Sequence, residues 1–190
     1  MIYLTMKKIA LLYGTRFGGT TGIADKIAEV LTQRGFEVLI ENVNNFEDFK
    51  KIFEKEYTGI ILGSGIQVGE WTTKMKNFIK NYQKNIVKQD IKLGMFVSCG
   101  TAQNNEGIIK ACKDYVDVFA QKLGLDPVIT AAFGGIYDFS KKSKHGTIKK
   151  KILKSIVKKE TPGKFDLDNI NDFRNWYDIV SFAETFAENM

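Results

Sequence analysis

Short apolar runs and helix-period stripes alternate along nearly the whole chain. Runs at Lys8–Tyr13, Glu37–Glu41, Gly59–Leu62, Leu93–Ser98 and Val128–Phe133 predict five strands. Between them Ile23, Ile27, Val30 and Leu31 recur at helical spacing, and so do Met75, Phe78, Ile79 and Tyr82. A third stripe joins Ile108, Ala111, Cys112, Tyr115, Val118, Phe119 and Leu123, and a shorter helix fits Phe46–Phe53. Phe173, Trp176, Tyr177, Val180, Ala183 and Ala187 predict a closing helix. Strands that alternate with helices specify a parallel sheet covered on both faces. The expected fold is therefore α/β, a doubly wound five-stranded sheet of order 2-1-3-4-5. That order places a ligand at the carboxyl ends of strands 1 and 3. No internal repeat or low-complexity linker interrupts the pattern, so residues 1–190 read as one domain, with an insertion at about 139–165.

The turn after the first run is Gly14-Thr15-Arg16-Phe17-Gly18-Gly19-Thr20-Thr21. A glycine-rich turn that leaves a strand and opens a helix aims several backbone N–H groups at one point, and the helix dipole adds partial positive charge. Gly14 and Gly19 have the separation of a nucleoside-triphosphate loop, but Thr20 stands where its lysine belongs. The dinucleotide fingerprint fails as well, because Arg16 replaces its second glycine. A single phosphate monoester, held by N–H and hydroxyl groups, fits the turn better. The topology brings three more loops to the same edge. After strand 3, Gly65, Ile66, Gln67, Val68 and Gly69 lead to Trp71, and glycines there let peptide groups reorient beside a flat ligand. After strand 4, Ser98, Cys99, Gly100 and Thr101 offer small polar groups to ring carbonyls, and after strand 5 Gly135 precedes Tyr137. Trp71 and Tyr137 are the candidates to stack on a planar ring.

Composition adds two facts to this picture. With 44% hydrophobic and 26% charged residues the chain is that of a globular protein, and no apolar run approaches the roughly 20 residues that span a bilayer. The opening segment, Met1 to Lys8, makes a poor signal peptide, and Met6 is a second candidate start. Two cysteines without C-x-x-C spacing suit a reducing compartment, so the expected location is cytoplasmic. The net charge of +6 has a single source: residues 139–164 hold ten lysines against one acid, leaving eighteen basic and twenty-one acidic residues elsewhere. Within that segment Ile148, Ile152, Leu153, Ile156 and Val157 stripe a basic amphipathic helix, Thr147 to Lys159. Such a helix suits peripheral contact with the anionic cytoplasmic face of a membrane, or packs its stripe on its own domain with the lysines solvated. A nucleic-acid partner is not expected, since no aromatic-interleaved basic groove accompanies the lysines. His145 is the only histidine, and neither a metal cluster nor a hydrolytic triad can be assembled from these residues.

The Thr15-x-x-Gly18-x-Thr20 loop followed by Ile23-Ala24 resembles the phosphate loop of flavodoxins, and the other three loops fall in register with a flavodoxin-like fold. The chain is more similar still to flavodoxin-domain proteins of the menaquinone-dependent protoporphyrinogen IX dehydrogenase type. The carriers are Thr15-Arg16-x-Gly18-x-Thr20, Gly63-x-x-Ile66-x-x-Gly69, and the long insertion ahead of a final helix with Trp176 and Phe182-Ala183. The resemblance implies FMN as cofactor, bound at Thr15 to Thr21, Gly65 to Gly69 with Trp71, Ser98 to Thr101, Gly135 and Tyr137. It also implies a porphyrinogen as electron donor and a quinone as acceptor. Phe17 departs from the small or acidic residue common in that family, and no residue here marks a propionate or quinone site. Three functions stay open: an FMN oxidoreductase acting on a small-molecule substrate, a flavodoxin-type carrier exchanging electrons with a redox partner protein, and a basic-helix docking module whose nucleotide pocket is empty or regulatory.

Overall fold

The computed structural model describes residues 6–45, 49–54, 57–88, 91–143, 146–160 and 165–190, apart from the side chains of Lys88, Lys149, Ile156 and Glu160. The first five residues, the start of the Phe46–Phe53 helix, Lys144, His145 and Lys164 lie outside the described residues.

Strand β1 (Lys8–Gly14) is buried from Ile9 onward, and it lies between β2 (Glu37–Asn42) and β3 (Gly59–Gly65). Beyond β3 come β4 (Lys92–Cys99) and β5 (Ile129–Gly134), every pair parallel, in the order β2-β1-β3-β4-β5. Successive side chains of a strand point to opposite faces, and β1 divides accordingly. Ile9 and Leu11 join Ile23, Ile27 and Leu31 of α1 (Thr21–Gln33) and Ile179, Phe182 and Phe186 of α7 (Trp176–Glu188). Ala10 and Leu12 join the opposite face, under α2 (Lys50–Glu54) and α3 (Thr73–Lys88) and the helical run from α4 (Asn105–Ala111) to α5 (Val118–Lys122). The central strands lack alternation because helices cover both their faces.

Two sequence expectations are corrected and one element is added. The closing helix buries Ile179, Phe182, Ala183 and Phe186, whereas Trp176 and Tyr177 are 40% and 80% exposed. Those two aromatics sit in its first turn, where Asn175 caps the helix and the chain has not yet reached the sheet. The third stripe packs on the core at Ile108, Ala111, Cys112, Tyr115, Phe119 and Leu123, but Val118 does not join it and Val116 and Ala120 are buried in its place. A π-helical stretch, Cys112–Asp117, joins α4 to α5, and its wider turn rotates the buried face away from Val118. The insertion is also closed at its base by a hairpin that periodicity could not reveal. Strands β6 (Ile136–Asp138) and β7 (Ile170–Asp172) pair antiparallel, and the lysine-rich helix α6 (Thr147–Glu160) lies between them in the chain.

Register then positions the loops. Gly14 stands opposite Ser64, Gly65 opposite Ser98, and Cys99 opposite Gly134, so four strands end in one row. The turn after β3 continues that row, its Ile66 N–H donating to Ser98 O at 2.8 Å.

Candidate functional site

The row of strand ends opens on a cleft of about 410 Å³, within the range of roughly 300–1,000 Å³ usual for small-ligand sites. One end is the turn between β1 and α1. Gly18, at φ 80°, reverses the chain in a conformation that side chains resist, and its N–H donates to Thr15 Oγ1 at 2.8 Å. The Thr21 N–H closes the turn on Gly18 O at 3.2 Å. The N–H groups of Gly19 and Thr20 have no partner among the described residues, and both residues line the cleft. Thr20 is buried, and its hydroxyl does not cap α1. Unpaired buried donors are costly unless a ligand or water satisfies them. Two N–H groups at a helix start, with the hydroxyls of Thr15 and Thr20 beside them, make a cradle for one anion.

Gly18 and Thr21 shape this cradle without lining the cleft, because both spend their N–H groups on the turn itself. Thr15, Arg16, Phe17, Gly19 and Thr20 do line it. So do Gly65, Ile66, Gln67, Val68 and Gly69 from the turn after β3, and Ser98, Cys99, Gly100 and Thr101 from the turn after β4. Gly135 and Tyr137 complete the far wall.

The turn after β3 is not the freely reorienting segment that its glycines suggest. Gln67 and Glu70 exchange both backbone hydrogen bonds at 3.1 Å, and Val68 and Gly69 between them have φ of 51° and 72°. Positive φ at both central residues marks a type I′ hairpin turn, unusual for a β-branched residue. Gly63, upstream, serves packing: a Cβ there would lie 2.2 Å from the Phe96 ring.

Trp71 does not face a ligand. It is buried against Phe119, with ring centroids 4.7 Å apart, and its indole N–H donates to Tyr115 O at 2.6 Å. The Thr72 N–H donates to Ser64 Oγ at 2.9 Å as α3 begins, which draws Trp71 under the hairpin and into the core. Tyr137 does stand in the cleft wall, its hydroxyl over Gly100 and its ring edge-on to Phe165 at 4.8 Å. Of the two cysteines, Cys99 is buried at the cleft, while burial pushes the Cys112 thiol up from its ordinary range.

The insertion supplies residues that the sequence patterns missed. Phe139, Leu153 and Val157 are buried in a small cluster with Phe17, Tyr137, Phe165 and Leu167, and Leu153, Val157 and Phe165 line the cleft. They form an apolar roof. Lys150 fastens it by donating to Ser140 O at 3.0 Å, and Lys154 lies 3.4 Å from Asp168 and over the Phe139 ring. The predicted stripe of α6 is therefore divided: Leu153 and Val157 face the cleft, while Ile148 and Ile152 are exposed. Only the spacing of Leu153 and Val157 signalled an inward face, since the same arc continues through the outward isoleucines.

The flavodoxin-domain family matches residues 10–168, a span that includes all four loops and the whole of α6. Flavodoxin 1 from Bacillus cereus superposes on 97% of this chain and 99% of its own, with a TM-score of 0.59 at 17% identity. Rubredoxin oxygen:oxidoreductase from Desulfovibrio gigas superposes on 96% of this chain with a TM-score of 0.57 at 12% identity, but on only 35% of its own length. The flavodiiron core of Flv1 from Synechocystis superposes on 69% of this chain and 32% of its own, with a TM-score of 0.53 at 23% identity. This chain thus spans about a third of the length of those two proteins, and the likeness is one of fold. No curated protein matches the sequence. A family match through all four loops, on a sheet of order β2-β1-β3-β4-β5, makes this chain a member of the flavodoxin-domain family.

Proposed function

We propose that the cleft holds FMN and that the protein is an FMN-dependent oxidoreductase acting on a small organic substrate. The observation that carries the cofactor is the pair of N–H groups at Gly19 and Thr20 that have no partner among the described residues. They suit one phosphate monoester, while the loops from Gly65 to Gly69 and Ser98 to Thr101 frame a flat ring beyond it. When bound, FMN supplies the electron exchange with an organic donor and acceptor. The protein's residues do the rest. Thr15 and Thr20 would donate hydroxyl hydrogen bonds to the phosphate, backbone groups of Ser98 to Thr101 would orient the ring, and Tyr137 would flank it.

The roof supports an enzyme over a carrier. Leu153, Val157 and Phe165 add an apolar wall to the cleft, which would shield a bound ring from part of the solvent. A carrier would have to present the ring edge to a partner protein, and here that approach meets a lysine-rich helix. The substrate suited to such a roof is flat and apolar. Within the resemblance stated above, the donor is a porphyrinogen and the acceptor a quinone. A quinone user gains from a membrane surface, and α6 suits one: Ile148 and Ile152 are 76% and 49% exposed, with Lys151, Lys158 and Lys159 exposed on the same helix. Each such lysine adds about 1 kcal/mol near anionic headgroups. No helix among the described residues is long and apolar enough to cross a membrane, so the contact would be peripheral.

Anaerobic mixing with protoporphyrinogen and then a menaquinone analogue tests the reaction. Oxidised porphyrin should form only in the FMN-loaded protein. A loaded protein that leaves the porphyrinogen untouched would restore the carrier reading.

A further inference from the structure

Arg16 sits in the phosphate turn, where a cation is ordinarily read as a phosphate ligand. Its side chain instead reaches into the turn after β3. Nη1 donates to Gly65 O at 2.9 Å and to Glu70 O at 3.3 Å, and Nη2 donates to Glu70 O at 3.3 Å and to Trp71 O at 3.0 Å. Each η nitrogen carries two hydrogens, so all four are spent on main-chain carbonyls. The Glu70 carboxylate does not compete, since it pairs with Lys76 at 2.6 Å. Partial burial draws Arg16 below its ordinary range, and the charge of Glu70 opposes that shift. A guanidinium remains charged under either influence.

The three carbonyls bracket the hairpin turn at Val68 and Gly69. A β-branched residue in left-handed conformation is strained and persists only where neighbouring structure holds it. Arg16 provides that hold from the neighbouring turn after β1. Its planar fork can span carbonyls that one ammonium cannot.

We infer that Arg16 is a positioning strut that joins the phosphate turn to the ring-framing hairpin, making the two halves of the ligand site one unit, and that it is not a phosphate ligand. This rests on the flavin reading of the cleft, but part of its test does not. The binding arm compares FMN with riboflavin, which keeps the ring and lacks the phosphate, by quenching of flavin fluorescence. Arg16→Met should weaken both flavins by a similar factor of about tenfold or more, leaving their affinity ratio unchanged. Arg16→Lys should restore little of either. If Arg16→Met weakens FMN while riboflavin binds as before, Arg16 is a phosphate ligand and the strut is wrong.

The second arm uses flavin-free protein and amide hydrogen exchange. Arg16→Met should raise exchange at Gln67 and Glu70, the amides that close the hairpin, and leave the β1 and β4 amides protected. Unchanged protection at Gln67 and Glu70 would overturn the strut whatever the flavins do. A wild-type protein that binds neither flavin overturns the cofactor reading alone, and the exchange result then decides the strut.

Discussion

The cleft has two sides built on different principles. The sheet side is made of backbone: strand ends aligned by register, a turn with two N–H groups that find no partner among the described residues, and a hairpin held by an arginine. The roof side is made of side chains, a cluster of three buried apolar residues on an insertion tied down at its base by a short hairpin. The sheet side carries the fold's stability, and its geometry tolerates almost no substitution at close contacts. The roof is a separate small cluster, apart from the two cores that cover the sheet. Under the proposed function, the difference would give cofactor binding to the backbone wall and choice of substrate to the roof.

The largest expected effect falls on the sheet. Gly63→Ala places a methyl 2.2 Å from the buried Phe96 ring, and overpacking of this kind costs about 3 kcal/mol. Urea unfolding should show that loss; a value below about 1 kcal/mol would mean that the wall is less rigid than described. Trp71→Phe is milder, costing about 1 kcal/mol for the hydrogen bond to Tyr115 O, with the visible flavin spectrum unmoved. A shifted spectrum would put the indole back against the ring.

Trp71 also shows where sequence reading succeeds and where it fails. The order of strands and the meeting of four loops at one edge were legible because each rests on local signals: apolar runs, helix-period stripes and glycine-rich turns at strand ends. Which way a large aromatic turns was not legible, because it depends on the Thr72 to Ser64 bond and on a space beside Phe119 that no spacing encodes. The same holds for the closing helix. Trp176 and Tyr177 extend a convincing stripe, yet helix packing selects Ile179, Phe182 and Phe186. For α6 the stripe was visible but its division was not: Leu153 and Val157 turn inward only because Phe139 and Phe165 wait under them. Strands β6 and β7 have three residues each, too few to show a period.

On the roof, Leu153→Ala removes a buried side chain, a change worth about 2–5 kcal/mol in a large core. Here it should lower global stability by less than about 1 kcal/mol while loosening α6 selectively, because that helix opens as a local unit. Amide exchange confined to α6 checks this, and a loss spread through the sheet would erase the distinction between the two sides. The smallest effect is on pH. Asp172 is held below the ordinary carboxylate range chiefly by its hydrogen bond from Arg174, against a partial cost of burial. A depressed carboxylate contributes fully above its ordinary pKa and loses that contribution as pH falls through its lowered value. Acidification should therefore fray β7 at Asp172 before the sheet responds, as read by NMR shifts of β6 and β7 amides. Simultaneous change in β1 and β4 would count against a separately held roof.

The central claim is that the turn after β1 binds the phosphate of a flavin, and the affinity difference between FMN and riboflavin in the wild-type protein tests it most directly. Hydrogen bonds to a charged group contribute about 1.5–3 kcal/mol each. Two backbone donors at Gly19 and Thr20 should therefore make FMN tighter by about a hundredfold or more. Equal affinities, or no binding of FMN, would contradict the account.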